Sequence, residues 1–139
     1  MAVTIPTHDT ASTDASSSNP AITMPRLMLH AEGLAVFVAA TAAYGMSDVG
    51  PWWLYFVLLL VPDVFMLSYL LNIRAGAILY NAGHTLVVPL AFAGIALLTG
   101  WQIGVAIGLI WLAHIGMDRT AGYGLKYSAA FKETHMARV

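Results

Sequence analysis

The chain of 139 residues contains no cysteine, and only 9% of its residues are charged. The first absence excludes disulfides and thiolate metal sites, so any metal must be held by histidine, carboxylate or amide ligands. The second is far from the roughly one-quarter charged residues of an ordinary soluble domain. Six basic and seven acidic residues give a net charge of -1, with no cluster of lysine and arginine. That leaves no electrostatic footprint for nucleic acid and no polybasic tail for lipid headgroups.

Hydrophobic residues, by contrast, make up 59% of the chain and the mean hydropathy is +0.74, the composition of an integral membrane protein with the lipid bilayer as its principal partner. Residues 1–25 are rich in Ser, Thr, Ala and Asp and cannot bury enough apolar surface to offset chain entropy, which predicts a disordered N-terminal tail. The tail has neither the basic start nor the apolar centre of a secretory signal, so the first apolar segment is expected to remain as an anchor.

Apolar runs at Leu27 to Tyr44, Trp52 to Leu71, Ala75 to Leu98 and Gln102 to Met117 each approach the ~17–25 residues that cross a bilayer as helix. The expectation is therefore an all-α fold, a four-transmembrane-helix bundle over residues 26–118 followed by a cytoplasmic interfacial segment, 119–139. Trp52, Trp53 and Trp101 suit the aromatic belt at the interface. Arg26, Arg74, Arg119, Lys126, Lys132 and Arg138 all fall on one side of such a bundle, and the positive-inside rule makes that side the cytoplasm, with both termini there.

Five ionisable residues interrupt or end these runs: Glu32, Asp63, His84, His114 and Asp118. A charge near the bilayer centre costs at least ~2.5 kcal/mol on insertion scales, so such residues usually face a partner or a cavity. Counted from the nearest cytoplasmic arginine at ~1.5 Å per residue, all five fall in the cytoplasmic half. At ~100° per residue, His114 and Asp118 share a face with Gly104, Gly108 and Trp111; His84 shares one with Ala77, Tyr80, Asn81 and Ala91; Glu32 shares one with Ala35, Ala39 and Ala43. Pro62 before Asp63, and Pro89 on the third run, are expected to bend their helices.

Two chemistries fit this set. His84, His114, Asp118 and Asp63 offer imidazole and carboxylate ligands for one divalent metal ion, with the i, i+4 spacing of His114 and Asp118 suited to chelation. Alternatively Glu32, Asp63, His84 and His114 form a metal-free acid-base set. Either would serve an enzyme acting on a lipid-soluble substrate, with Tyr80, Asn81, Arg119 and His135 in support. An oligomeric proton or ion pathway is a further alternative, as is a structural subunit in which Glu32 pairs with an arginine, Asp118 ends a helix at the interface and His84 is a satisfied core histidine.

Glu32-Gly33, Pro62-Asp63, Tyr80-Asn81-x-x-His84, His114-Ile-Gly-x-Asp118-Arg119-x-x-Gly122-Tyr-Gly-Leu-Lys126, Phe131-Lys132 and Thr134-His135 together closely resemble the domain-of-unknown-function family numbered forty-two sixty. The resemblance covers about Leu27 to Val139. It implies a small integral membrane protein of the bacterial inner membrane and implies no particular reaction.

Overall fold

The structure, a computed structural model, describes residues 23–125. Residues 1–22 of the expected N-terminal tail, His135 and most of the interfacial segment lie outside them, while the tail's last residues, Met24 and Pro25, already belong to the first helix. The described residues are helical with no strand: α1 (Met24–Met46), α2 (Trp52–Leu59), a 3-10 helix (Val61–Leu70), α3 (Ile73–His84), α4 (Val87–Leu98) and α5 (Gln102–Thr120). By length and composition, two segments suffice to cross a membrane, Met24–Met46 and Trp52–Leu70. A third does so if α3 and α4 count as one bent span. Large apolar side chains such as Leu34, Val38, Phe56, Val64 and Leu97 point outward, which is the exterior of a membrane protein.

Local chemistry sets the element ends. Thr23 caps α1 by accepting a hydrogen bond from the Arg26 amide, with Pro25 in the first turn, where its missing N–H removes nothing from the helix. Across the turn to α2, the Tyr44 hydroxyl donates to the Pro51 carbonyl at 2.9 Å, and the Thr41 and Tyr55 hydroxyls meet at 2.6 Å. The Tyr44, Trp52 and Tyr55 rings pack at centroid distances of 5.1–5.5 Å. Asn72 caps α3 through the Ala75 amide.

Two of the expected spans are broken near Pro62 and Pro89, where bends are expected. The second is α-helical only to Leu59 and continues as a ten-residue 3-10 helix. Pro62 lacks the N–H that would bond Leu58, which accounts for the change. Runs of 3-10 helix this long are uncommon and mark hinges or strain. The third bends by 42° after His84, where Thr85 adopts an extended conformation. Thr85 stands four residues before Pro89, so its carbonyl is the one that the proline ring would clash with and leave unbonded. The bend also shifts the helical phase: Pro89 and Ala96 are buried in α4 while Ala91, expected on the face of His84, is exposed.

α5 lies at the centre, packed by α1 on one side and α4 on another, while α3 pairs with the 3-10 helix. Small residues permit these approaches, as they do between helices in lipid. A side chain added at Gly116 would stand 2.5 Å from the Phe37 backbone nitrogen and 2.8 Å from the Gly33 carbonyl oxygen; one at Gly33 would stand 2.6 Å from Cβ of Arg119. Gly104 and Gly108 face Ala96 and Ala93 in α4, so the partner of this glycine pair is within the chain. Because Gly33 meets Arg119 and Thr120 while Phe37 meets Gly116, α1 and α5 are antiparallel. The start of α1 and the end of α5 are thus at the same end of the molecule.

The two kinds of helical glycine should separate in stability measurements. Gly116→Ala forces the α1 and α5 backbones apart, and overpacking of this kind costs about 1–3 kcal/mol. Gly94 in α4 has nothing within 4 Å of an added Cβ, so Gly94→Ala should be neutral or stabilise by up to about 1 kcal/mol. Thermal unfolding of both variants in the same detergent checks the contrast.

Candidate metal centre

The two helix breaks and the C-terminal half of α5 deliver four side chains to one point. Asp63 comes from the first turn of the 3-10 helix, His84 from the last residue of α3, and His114 and Asp118 from successive turns of α5. One ligand atom from each lies within 4.8 Å of all the others. The His114 Nε2 to His84 Nε2 distance is 3.2 Å. Asp118 Oδ2 is 3.6 Å from His114 Nε2 and 3.7 Å from His84 Nε2. Asp63 Oδ1 is 3.7 Å from His114 Nε2 and 4.0 Å from His84 Nε2.

Three of the four are enclosed. Both histidines are buried and the Asp118 side chain is 16% exposed, whereas that of Asp63 is 45% exposed. His84, His114 and Asp118 form the compact triangle, and Asp63 closes the group from its open side.

The imidazole of His84 is fixed in orientation. Its Nδ1 lies 2.9 Å from the Tyr80 carbonyl, an acceptor, so Nδ1 carries the proton and donates. Neutral His84 then presents the Nε2 lone pair to the cluster. The ring stacks on Tyr80 at a centroid distance of 3.9 Å and 13° between planes. The Tyr80 hydroxyl hydrogen-bonds the Asp118 carboxylate, so one tyrosine orients two members of the group. His114 is fully buried and its Nδ1 has no hydrogen-bond partner among the described residues. Nearby, the Trp111 indole N–H donates to the Gly83 carbonyl at 2.7 Å and ties α5 to the end of α3 beside the site.

Two openings lie near the cluster, one bordering it and one beginning at Pro62 and Trp111, the neighbours of Asp63 and His114 along the chain. On the side toward the middle of the spans, an apolar groove of about 330 Å3 runs between the second span and α5, with Val61, Pro62 and Phe65 facing Ile107, Ile110 and Trp111. On the side toward the end of α5 is a small polar notch bounded by Tyr80, His84, Asp118, Arg119 and Tyr123. The notch exists because the chain turns back after α5: Gly122 has φ +89° and the Tyr123 amide donates to the Asp118 carbonyl at 2.8 Å, a helix ending in which glycine is favoured at the left-handed position.

Other expected residues fall differently. Glu32 is exposed and outside the group, and it makes no ion pair among the described residues. α1 faces α5 with Gly33, Phe37, Ala40 and Tyr44, so of the expected inward face Glu32, Ala35 and Ala39 are turned outward and Ala43 is half-buried. Backbone contact, for which Gly33 is the only suitable residue in that turn, outweighs the alignment of small residues with the carboxylate. Asn81 is half-buried on α3 one turn before His84, and Arg119 lines the notch. His135 lies outside the described residues. Sequence reasoning missed His30, whose Nδ1–H donates to the Thr120 carbonyl at 2.9 Å and joins α1 to the end of α5. It also missed the groove, because apolar residues within apolar runs carry no distinguishing signal.

No curated protein and no solved structure matches the chain. A family profile does match, over residues 26–139, which takes in all four clustered side chains together with Tyr80 and Arg119. By that match the chain belongs to the family described as a domain of unknown function, DUF4260.

Proposed function

We propose that the protein crosses the bacterial inner membrane four times, with both termini in the cytoplasm, and holds one divalent metal ion between His84, His114, Asp118 and Asp63 for chemistry on a membrane-soluble molecule. In this reading α1, the Trp52–Leu70 segment, the bent α3 and α4 pair, and α5 are the four spans. Arg26, Arg74 and Arg119 then share the cytoplasmic side. The residues after Asp118 run along the interface.

The observation that carries the metal is the 3.2 Å between the two Nε2 atoms, both flanked by the same carboxylates. Two protonated Nε2 groups at that separation would set donor against donor, so at least one lone pair is directed into the group. With Nδ1 of His84 already donating to Tyr80, both imidazoles serve best as neutral ligands. Two carboxylates and a divalent cation then sum to zero charge, the least costly composition in a medium that solvates ions poorly.

The distances agree with this chemistry. A tetrahedron with metal bonds of ~2.0–2.1 Å has edges of about 3.3–3.4 Å. The His84, His114 and Asp118 edges of 3.2–3.7 Å lie close to that, while those of Asp63 begin at the upper end of this range, at 3.7 Å, and reach 4.0 Å. Three tight ligands with one looser, more exposed one favour a reactive centre over a closed structural one. A metal bound there would act as a Lewis acid and make bound water more acidic; imidazole and carboxylate suit zinc, iron or manganese. Asp63, next to the open side, is placed to hold a proton or to yield its position to a substrate oxygen. Tyr80 keeps His84 and Asp118 in orientation, as outer groups do around metal ligands.

A second reading, acid-base or proton-relay chemistry without metal, draws on the same 3.2 Å contact: His114 Nε2–H would donate to His84 Nε2. Metal analysis separates the two. Protein purified and supplemented with Zn2+, Mn2+ or Fe2+ in turn should retain about one ion per chain, and His84→Ala and His114→Ala should lose it while remaining helical by circular dichroism. No stoichiometric ion under any of these conditions would remove the metal reading. Tyr80→Phe should weaken retention by about 10–100-fold, measured by competition with a chelator. Acidification should also weaken it, because protons compete for the imidazole and carboxylate lone pairs; retention unchanged from neutral to mildly acidic pH would contradict this ligand set.

A further inference from the structure

The apolar groove and the cluster follow one another along the same face of α5. At ~100° per residue, Ile107, Trp111, His114 and Asp118 fall within about 60° of one another on that helix, with Arg119 beside the last. Along this line the lining changes in order from hydrocarbon, through the four ligand residues, to a cation. The groove wall has no ionisable side chain. Its last residue on the second span, Pro62, directly precedes Asp63, and Trp111 stands one turn before His114. Phe65 and Trp111 stack across it at a centroid distance of 6.3 Å and 16° between planes.

We infer that the groove takes the hydrocarbon tail of a single-chain anionic lipid whose carboxylate or phosphate head reaches the His84, His114 and Asp118 centre. The inference rests on the metal reading above and adds the substrate class. The volume of about 330 Å3 falls at the lower end of ligand pockets, roughly 300–1,000 Å3, and suits one chain. The order of the lining matches the order of parts in an amphiphile, tail toward the bilayer interior and head toward the interface. Charge matches as well. With three ligands in place the ion and Asp118 leave one positive charge, and the Arg119 guanidinium below them has no carboxylate within 4 Å among the described residues. An anionic oxygen can take the position of Asp63, the loosest and most exposed member of the group.

The test uses the full chain in phosphatidylcholine nanodiscs, loaded with Co2+ so that its visible spectrum reports on the ligands. Titration with palmitate and, separately, with hexadecyl phosphate distinguishes the two heads; hexadecyltrimethylammonium is the cationic control. A saturable spectral change with either anion and none with the cation is expected. Val61→Trp fills the groove from a lipid-facing position and should weaken the anion response at least tenfold without loss of cobalt. Arg119→Gln should weaken it severalfold. Cobalt bound in full with a spectrum blind to both anions, or a response equal in Val61→Trp, would overturn the inference.

If no cobalt binds, the metal reading has failed and the tail is judged alone, with a diazirine-bearing palmitate. Crosslinks that concentrate on the residues between 58 and 65 and between 107 and 111, and that unlabelled palmitate suppresses, support the tail site. Crosslinks spread evenly over the outward-facing residues mean that the groove holds ordinary membrane lipid, and the inference falls.

Discussion

Hydrocarbon offers neither hydrogen bonds nor dielectric screening, so a polar group that this chain carries away from its ends is costly unless another part of the same molecule satisfies it. That constraint organises the structure. Two histidines and two aspartates converge because any one of them alone would be costly, and the helices that bring them together approach closely because Gly33, Gly104, Gly108 and Gly116 have no side chains in the way. Packing and chemistry are thus aspects of one arrangement: α5 touches α1 and α4 through glycine on some faces and presents His114 and Asp118 on the remaining one.

The same constraint explains why the backbone is irregular where it is. Broken helices are tolerated at membrane depth only where they are buried in protein or line a cavity, and both breaks lie beside members of the cluster. The change to 3-10 geometry at Pro62 sets Asp63 at the edge of the group, and the bend before Pro89 ends α3 at His84. Each proline removes one hydrogen bond from its span, and the freed local geometry aims an acid or an imidazole. Trp111, donating to Gly83, fastens the second break to α5.

Much of this was legible in the sequence and some was not, for identifiable reasons. The i, i+4 spacing of His114 and Asp118 fixes a shared face on any helix, and the structure has their ligand atoms 3.6 Å apart. Asp63 and His84 stand 11 and 10 residues from Arg74 on its two sides, so a comparable depth could be read from the count alone. Glu32 was misjudged because periodicity gives a face only relative to other residues; which face turns inward is decided by contact, and Gly33 against Arg119 and Thr120 decides it here. Ala91 was misplaced because a helical wheel assumes an unbroken helix, and the 42° bend cancels that assumption. The groove and the notch arise from the mutual placement of segments far apart in the chain, a property that no local pattern carries.

The four clustered side chains come from three segments, with Asp63 and His84 some 20 residues apart and His114 a further 30 along the chain. A ribosome delivers these segments to the membrane one after another. Before α5 is in place, the first carboxylate and the first imidazole have each other and nothing more; the set is complete only when α5 packs its glycines against α1 and α4. The group therefore forms only in a chain whose α5 has packed against the earlier segments. A truncated or wrongly inserted chain lacks it, and an ion fitted among these residues would hold the late-arriving segment to its predecessors.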